Sequence, residues 1–364
     1  MAWVSPLLCA VRAGPTTKGW IMGLGSLATR IPKIHLHCHL EGSLRASTFV
    51  ELADKHGVSL RYKQDDTGVD RSDPYRFESF AEFLYIFAAV SRSLREPEEY
   101  ARLAREFVED ALAQRVIYGE LFVSPSVWTF FNPGLDVRAT MQAIVDELRA
   151  ARPRATFKLL PDLTRNFGAD SAMQTVRAVA GMTDLDVIGI SLGGDEARFP
   201  ARLFAEAFAY ARAQGLHCVA HAGEDDGHGS VRDAIELLHA ERIGHGIRAL
   251  DDVRLVESLA ARGVALEICP TSNRLTGAAL AAHPHPYLDF DRMGCIVTID
   301  CDDPAIFGTS IEREYALVEQ VAGEAALERY VRNAIAATFA GGQEKRAMEA
   351  ALTAAAELPV AQRS

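Results

Sequence analysis

The chain has 364 residues, 49% of them apolar and 24% charged, enough for one large domain or two smaller ones around a buried core. A formal net charge of −11 argues against nonspecific binding to nucleic acid, which needs Lys and Arg to neutralise phosphates. No apolar run is long enough to cross a bilayer.

The first thirty residues stand apart. The apolar segment around Val4 to Val11 is short, has no basic residue before it and lacks a convincing cleavage site, so it makes a poor signal peptide. A disordered leader, or a start assigned too early with translation beginning at Met22, fits better. One folded domain is then expected over residues 31–358. The six cysteines, Cys9, Cys38, Cys218, Cys269, Cys295 and Cys301, contain no CxxC pair and mostly sit in apolar runs. They read as buried free thiols of a reducing, cytoplasmic setting, and they make a cysteine-ligated zinc site a poor fit.

The first strand is expected at "KIHLHC", where His35, His37 and His39 alternate; in a regular strand all three share one face. Such a triplet is either a metal site or a solvated or satisfied cluster. Residues 62–87 follow the first helical stretch, where the second strand would be expected. Their end, "SFAEFLYIF", spaces Phe80, Phe83, Leu84 and Phe87 as on a helix. Both a core-packing helix and a lid over a flat heteroaromatic substrate match that pattern.

Further strands are expected at "VIYGELFVS", "FKLLPDL", "DVIGISL", "LHCVAH", "RIGHG", "VALEIC" and "CIVTID". Amphipathic helices alternate with them, among them "ARLFAEAFAYARAQG", ending in Gly215, and "SVRDAIELLHA", opening on Ser230 as N-cap. Eight alternating units predict an α/β fold, a (β/α)8 TIM-type barrel with extra helices inserted after the first strand. An open doubly wound sheet is disfavoured, because no GxGxxG turn follows the first strand.

Active sites of such barrels lie at the C-terminal ends of the strands. His37 and His39 close the first strand, and His221, followed by Gly223 and Glu224, closes "LHCVAH". His245 follows "RIG", and Asp302 and Asp303 follow "CIVTID". Imidazole and carboxylate without thiolate suit Zn²⁺ or a neighbouring divalent ion and imply hydrolysis. Glu224, just beyond His221, could reach a substrate atom as proton donor.

"HLHCHLEGS", "LGGDE", "HAGE", "RIGHG", "CPTSN" and "DCDDPAIFG" stand in the order and approximate spacing of the adenosine deaminase family of amidohydrolases, which the chain resembles from Pro32 through the helices after Asp303. The resemblance implies one Zn²⁺ per chain on His37, His39, His221 and Asp302, with His35 outside the ligand set. It implies that His245 orients and deprotonates the attacking water and that Glu224 protonates N1 of a purine. Asp303 would bond N7, and the Gly194 N–H would serve N3. "HAE" at His239 to Glu241 also matches the HxE of cysteine-ligated nucleobase deaminases, but their PCxxC partner is missing.

The partner implied is a small purine, and no membrane or nucleic acid; oligomeric state is open. "GGDE" and "RIGHG" resemble the enzymes for adenosine and 2′-deoxyadenosine, with 6-aminodeoxyfutalosine as the alternative and free adenine third. Glu41 stands where many adenosine enzymes carry an Asp for the ribose 5′-hydroxyl. Arg165 in "DLTRNFG" could meet a substrate carboxylate or form a structural ion pair at the barrel mouth.

Overall fold

The computed structural model describes residues 26–59, 72–280 and 282–357. Eight strands run β1 (Lys33–His39), β2 (Val116–Val123), β3 (Thr156–Thr164), β4 (Gly189–Gly193), β5 (His217–Ala222), β6 (Arg242–His245), β7 (Ala265–Ile268) and β8 (Ile296–Ile299). All neighbours pair in parallel and in sequence order. The ring closes just past β8: the His39 N–H donates to the Asp302 carbonyl at 2.9 Å and the Asp302 N–H to the His37 carbonyl at 3.1 Å. The expected (β/α)8 barrel is therefore what forms, each strand at its apolar run. Strands covered on both faces are apolar at most positions, and the polar side chains they do carry, such as Glu120, Asp162 and Glu267, are buried as well.

Inside the barrel, Phe122, Leu160 and Val219 form a small apolar plug, with Ile188 and Phe339 packed against it. Three helices, Ala46–His56, Phe80–Ser93 and Pro97–Ala113, lie between β1 and β2, as the insertion predicted. Residues 60–71, which include the start of the 62–87 segment, lie outside the described residues. The helix Phe80–Ser93 packs on the core and also reaches the strand-end histidines. Phe83 is buried and stacks on Phe307 at 4.9 Å, while the Phe87 ring comes within 6.3 Å of the His39 ring.

Two sequence expectations need correction. The domain does not begin at residue 31: Leu27–Arg30 form a helical turn capped by Ser26, and Leu27 and Ala28 are buried. Their N–H groups donate to Glu319 at 3.0 and 2.8 Å, which ties the turn to the helix Ile311–Ala322. Residues 1–25, including Met22, lie outside the described residues. Nor does Ser230 cap its helix, which starts at His228 behind Gly227; the Ser230 hydroxyl donates instead to Glu196 at 2.6 Å. Gly215 does take the left-handed conformation (φ 79°) that ends its helix.

Cys38, Cys218, Cys269, Cys295 and Cys301 are free and buried; Cys9 lies outside the described residues. Among the described residues no helix is long and apolar enough to cross a membrane.

Beyond β7, His285 is 4% exposed, accepts the Tyr287 N–H at Nδ1 and leaves Nε2 without a partner. Burial, helped by Arg274, lowers its pKa to about 3, so the ring stays neutral in the folded protein. Unfolded, it titrates near 6.5. Between those values the unfolded chain binds the extra proton, so this group's contribution to stability is present above about pH 6.5 and is lost as pH falls, by up to about 1.4 kcal/mol per pH unit. His285→Gln, neutral throughout, should show a smaller drop in Tm between pH 7 and pH 5 than the native chain. Equal drops would refute this.

Candidate active site

The strand ends converge at the C-terminal mouth. From β1, the His37 Nδ1–H donates to Glu267 Oε2 at 2.9 Å, which turns a bare Nε2 toward the centre. From β5, the His221 Nδ1–H donates to the Leu192 carbonyl at 3.1 Å and does the same. His39 Nε2 lies 3.1 Å from His221 Nε2, and Asp302 Oδ1 lies 3.4 Å from His39 Nε2 and 3.5 Å from His37 Nε2. Ser272 Oγ donates to Asp302 Oδ2 at 2.6 Å and leaves Oδ1 facing the imidazoles.

His37 Nε2 is buried with no hydrogen-bond partner, and two ring nitrogens crowd one carboxylate oxygen. Packing does not explain bare lone pairs pointed at each other; a shared cation does. The separations match neighbouring ligands on a four-coordinate ion with bonds of about 2.0–2.1 Å. A metal therefore fits His37, His39, His221 and Asp302.

His35 is not part of this group. The register of β1 against β2 shifts between His35 and Cys38, so the strict alternation breaks. The His35 ring lies 6.5 Å from that of Phe107, with Nε2 3.1 Å from Cys301 Sγ.

Charge states around the cluster are set by burial and by one another. Burial lowers His39 to about 4 and holds His221 well below the ordinary histidine value, so both offer neutral nitrogen. Burial also opposes charge on Asp302, but His37, His245 and His39 outweigh it and keep the carboxylate well below its ordinary value. For His37 the flanking Asp302 and Glu267 overcome burial and raise the ring well above the usual histidine range, so a proton and a metal compete for Nε2.

His245 closes β6 in the left-handed region (φ 61°), as Asp302 does beyond β8 (φ 63°); such strain in non-glycine residues concentrates at functional sites. Burial, then His37, lowers His245 to about 3. The Asn273 side-chain amide sits 2.9 Å from His245 Nδ1, and its orientation decides which ring nitrogen carries the proton. As placed, Asn273 Nδ2 faces the ring and donates to Nδ1; with the amide turned over, its oxygen toward the ring, Nδ1 would keep its proton and Nε2 would be a base. Glu224 Oε2 lies 3.4 Å from that Nε2. Burial first, then the charges of Asp302 and Glu196, hold Glu224 well above the usual carboxylate range.

Asp303 is buried, and burial with Asp302, Cys38 and Glu41 raises it strongly, while Oδ1 has no partner. A Cβ on Gly42 would lie 1.9 Å from Asp303 Oδ1, so the glycine of "HLEGS" makes room for the aspartate of "DCDDP". Gly194, just past β4, is left-handed (φ 100°), and a Cβ there would meet Asn166 Oδ1 at 2.4 Å. Glu41 lies by β2: Oε1 accepts the Ser124 N–H at 2.9 Å and the Trp128 Nε1–H at 2.6 Å, and Oε2 is buried without a partner. Burial raises its pKa.

Arg165 corrects an expectation. It is fully buried, and its two terminal nitrogens donate to the carbonyls of Phe199 (2.8 Å) and His221 (2.7 Å). That ties the end of β5 to the loop after β4; the guanidinium is spent on carbonyls and is not offered to a substrate carboxylate, and among the described residues Arg165 makes no ion pair of its own.

Sequence reasoning missed Glu267, Ser272, Asn273 and Glu196. A carboxylate inside the apolar run "VALEIC" was the available signal for Glu267. The "CPTSN" motif contained two of the others without showing what they touch.

Barrels that gather histidines and a carboxylate at one point, with a protonated acid beside them, perform metal-assisted hydrolysis, and this chain is a metal-dependent hydrolase of that fold. Residues 32–355 match the family model described as adenosine deaminase, and the chain belongs to that family, a deaminase of adenine-type substrates. It is 35% identical over 330 residues to an adenine deaminase of Rhizobium leguminosarum bv. trifolii, covering 90% of this chain and 100% of the relative. It is likewise 35% identical over 334 residues to an aminodeoxyfutalosine deaminase of Streptomyces avermitilis, covering 90% and 92%. A solved amidohydrolase of Burkholderia ambifaria with bound Zn superposes with a TM-score of 0.81 at 27% identity, covering 90% of this chain and 91% of that one.

Proposed function

We propose that the chain hydrolyses the 6-amino group of an adenine nucleoside, adenosine or 2′-deoxyadenosine, to the 6-oxo product and ammonia, with Zn²⁺ on His37, His39, His221 and Asp302. The observation that carries the chemistry is the convergence of two carboxyls beside the metal cluster, the half-buried Glu224 at 3.4 Å from His245 Nε2 and the buried Asp303 next to Asp302, both held well above their ordinary values. A purine offers lone pairs at N1 and N7, and only protonated carboxyls can donate to them.

A divalent ion bound there supplies the Lewis acidity that makes water a nucleophile near neutral pH. His245 Nε2 orients the attacking water and takes its proton. Glu224 donates to N1, so that negative charge does not accumulate on the ring as C6 becomes tetrahedral. Asp303 donates to N7, and the Gly194 N–H serves N3, which fixes the ring plane. His245 then returns that proton to the 6-amino nitrogen, the C6–N bond breaks as the C6 hydroxyl gives its proton back to Glu224, and ammonia leaves a 6-oxo product with N1 protonated.

The nucleoside reading rests on "GGDE" and "RIGHG"; a Cβ at Gly244 would lie 2.7 Å from the His37 ring, so that glycine is tied to the metal site. A second reading, 6-aminodeoxyfutalosine, draws on Glu41: its Oε1 is already engaged by Ser124 and Trp128, which leaves only Oε2 for a 5′-hydroxyl. The Streptomyces relative points the same way, and the Rhizobium relative keeps adenine as the third.

Ammonia release should be compared for adenosine, 2′-deoxyadenosine, 6-aminodeoxyfutalosine and adenine at matched low concentrations, because kcat/KM reports transition-state discrimination. Adenosine or its deoxy form leading is the expected outcome. A lead by either other substrate overturns the nucleoside assignment, and no ammonia from any of them overturns the purine chemistry.

A further inference from the structure

The loop beyond β4 carries Glu196, a buried carboxylate that the reaction above does not use (1% exposed). Its Oε2 accepts the Gly223 N–H at 2.8 Å and the Ser230 hydroxyl at 2.6 Å. Its Oε1 accepts the Glu224 N–H at 3.1 Å and the Asp225 N–H at 3.4 Å. Three consecutive backbone N–H groups thus converge on one anion, which is an anion-binding nest with the anion built in. Gly223 makes the turn possible: it is left-handed (φ 71°), and a Cβ there would lie 2.6 Å from Val231 Cγ2. The Gly223 carbonyl, in turn, accepts the Arg248 N–H at 2.9 Å, so the loop is held from both sides.

Burying a carboxylate is unfavourable unless donors replace its hydration, and here four do. All four come from the segment that carries Glu224. The backbone of residue 224 is therefore fixed by a side chain from another strand end, and the direction in which its own carboxyl leaves the loop is fixed with it.

We propose that Glu196 is a positioning residue that holds the Gly223–Asp225 turn and thereby aims the Glu224 carboxyl at the substrate ring. This rests on reading Glu224 as the proton donor. A proton transfer in the transition state depends on a well-aligned contact, and a displacement of about 1 Å costs on the order of 10²-fold in rate. Ground-state binding, spread over the other ring contacts, depends on it far less.

Glu196→Gln keeps the shape but offers one oxygen where two were, and turns an NH₂ toward N–H donors. Its kcat is expected to fall by about 10–100-fold with KM within about twofold and bound zinc unchanged. Amide hydrogen exchange supplies a readout independent of turnover: exchange at Gly223, Glu224 and Asp225 should speed up by about tenfold or more, while the barrel strands keep their protection. Ser230→Ala removes one donor and leaves the three N–H contacts, so its kcat should stay near native. A purely structural Glu196 would lower Tm and leave kcat of the folded fraction intact, which would overturn the proposal. Unchanged exchange at 223–225 in a folded Glu196→Gln would overturn it too. If that variant does not fold, exchange in the native protein still decides: unprotected amides at 223–225 refute the nest. Loosened amides with native turnover in both Glu196→Gln and Glu224→Gln would instead remove Glu224 from the chemistry.

Discussion

Glu224→Gln should lose about 10²- to 10⁴-fold in kcat, the range that a positioned general acid contributes, and still bind purine. The side chain stands 3.4 Å from His245 Nε2 at the barrel mouth, and burial with the Asp302 and Glu196 charges holds its proton well above the ordinary carboxylate range. Glutamine has the same length and can still donate a hydrogen bond to N1, so ground-state contacts survive. It cannot hand over the proton. An interaction that matters only as the tetrahedral centre forms should therefore appear in kcat and leave KM nearly unchanged. Ammonia release measures the first. Binding of an unreactive purine nucleoside lacking the 6-amino group measures the second. Turnover near the native level would exclude Glu224 as the donor, and lost binding would show that the change had disturbed the site as a whole.

The strands were legible because a barrel buries them on both faces; the weakest was β6, four residues that open on Arg242 and end on His245. Site residues were legible because the fold sends strand ends to one mouth, and His37, His39, His221 and Asp302 all arrive there. What local reading could not supply was everything decided by pairing across the ring. His35 looked equivalent to His37 and His39 by period two, and a register shift visible only against β2 sends it to Cys301. Ser230 looked like a helix cap, and a carboxylate 34 residues away claims its hydroxyl. Leu27 and Ala28 looked like leader, until Glu319 from the far end of the chain took their N–H groups. Arg165 looked like a substrate contact or half of a structural ion pair, and its donors went to carbonyls that only the folded barrel brings near.

Removal of the metal by a strong chelator is expected to abolish ammonia release, with Zn²⁺ restoring it, and Glu267→Gln is expected to weaken metal retention by about 10–100-fold. Glu267 is fully buried in β7 and accepts the His37 Nδ1–H at 2.9 Å and the Arg242 Nε–H at 2.6 Å. It fixes the tautomer that leaves His37 Nε2 bare and makes that nitrogen a stronger ligand. Arg242 in turn lies 2.6 Å from Glu120 Oε2, so a chain of alternating charges runs from the floor of the barrel to the metal cluster. Burial opposes the charge on Glu267, but Arg242 and His37 overcome it and keep the carboxylate ionised below its ordinary value. Alanine at this position would take one of the two carboxylates that pair with Arg242, and breaking a buried pair typically costs about 3–5 kcal/mol, so loss of metal and loss of fold would be confounded. Glutamine keeps the volume and one acceptor. Competition against a chelator of known affinity then reads zinc retention, while a melting curve confirms the fold. Zinc held as tightly as in the native protein, in a folded Glu267→Gln, would mean that His37 is oriented without this carboxylate.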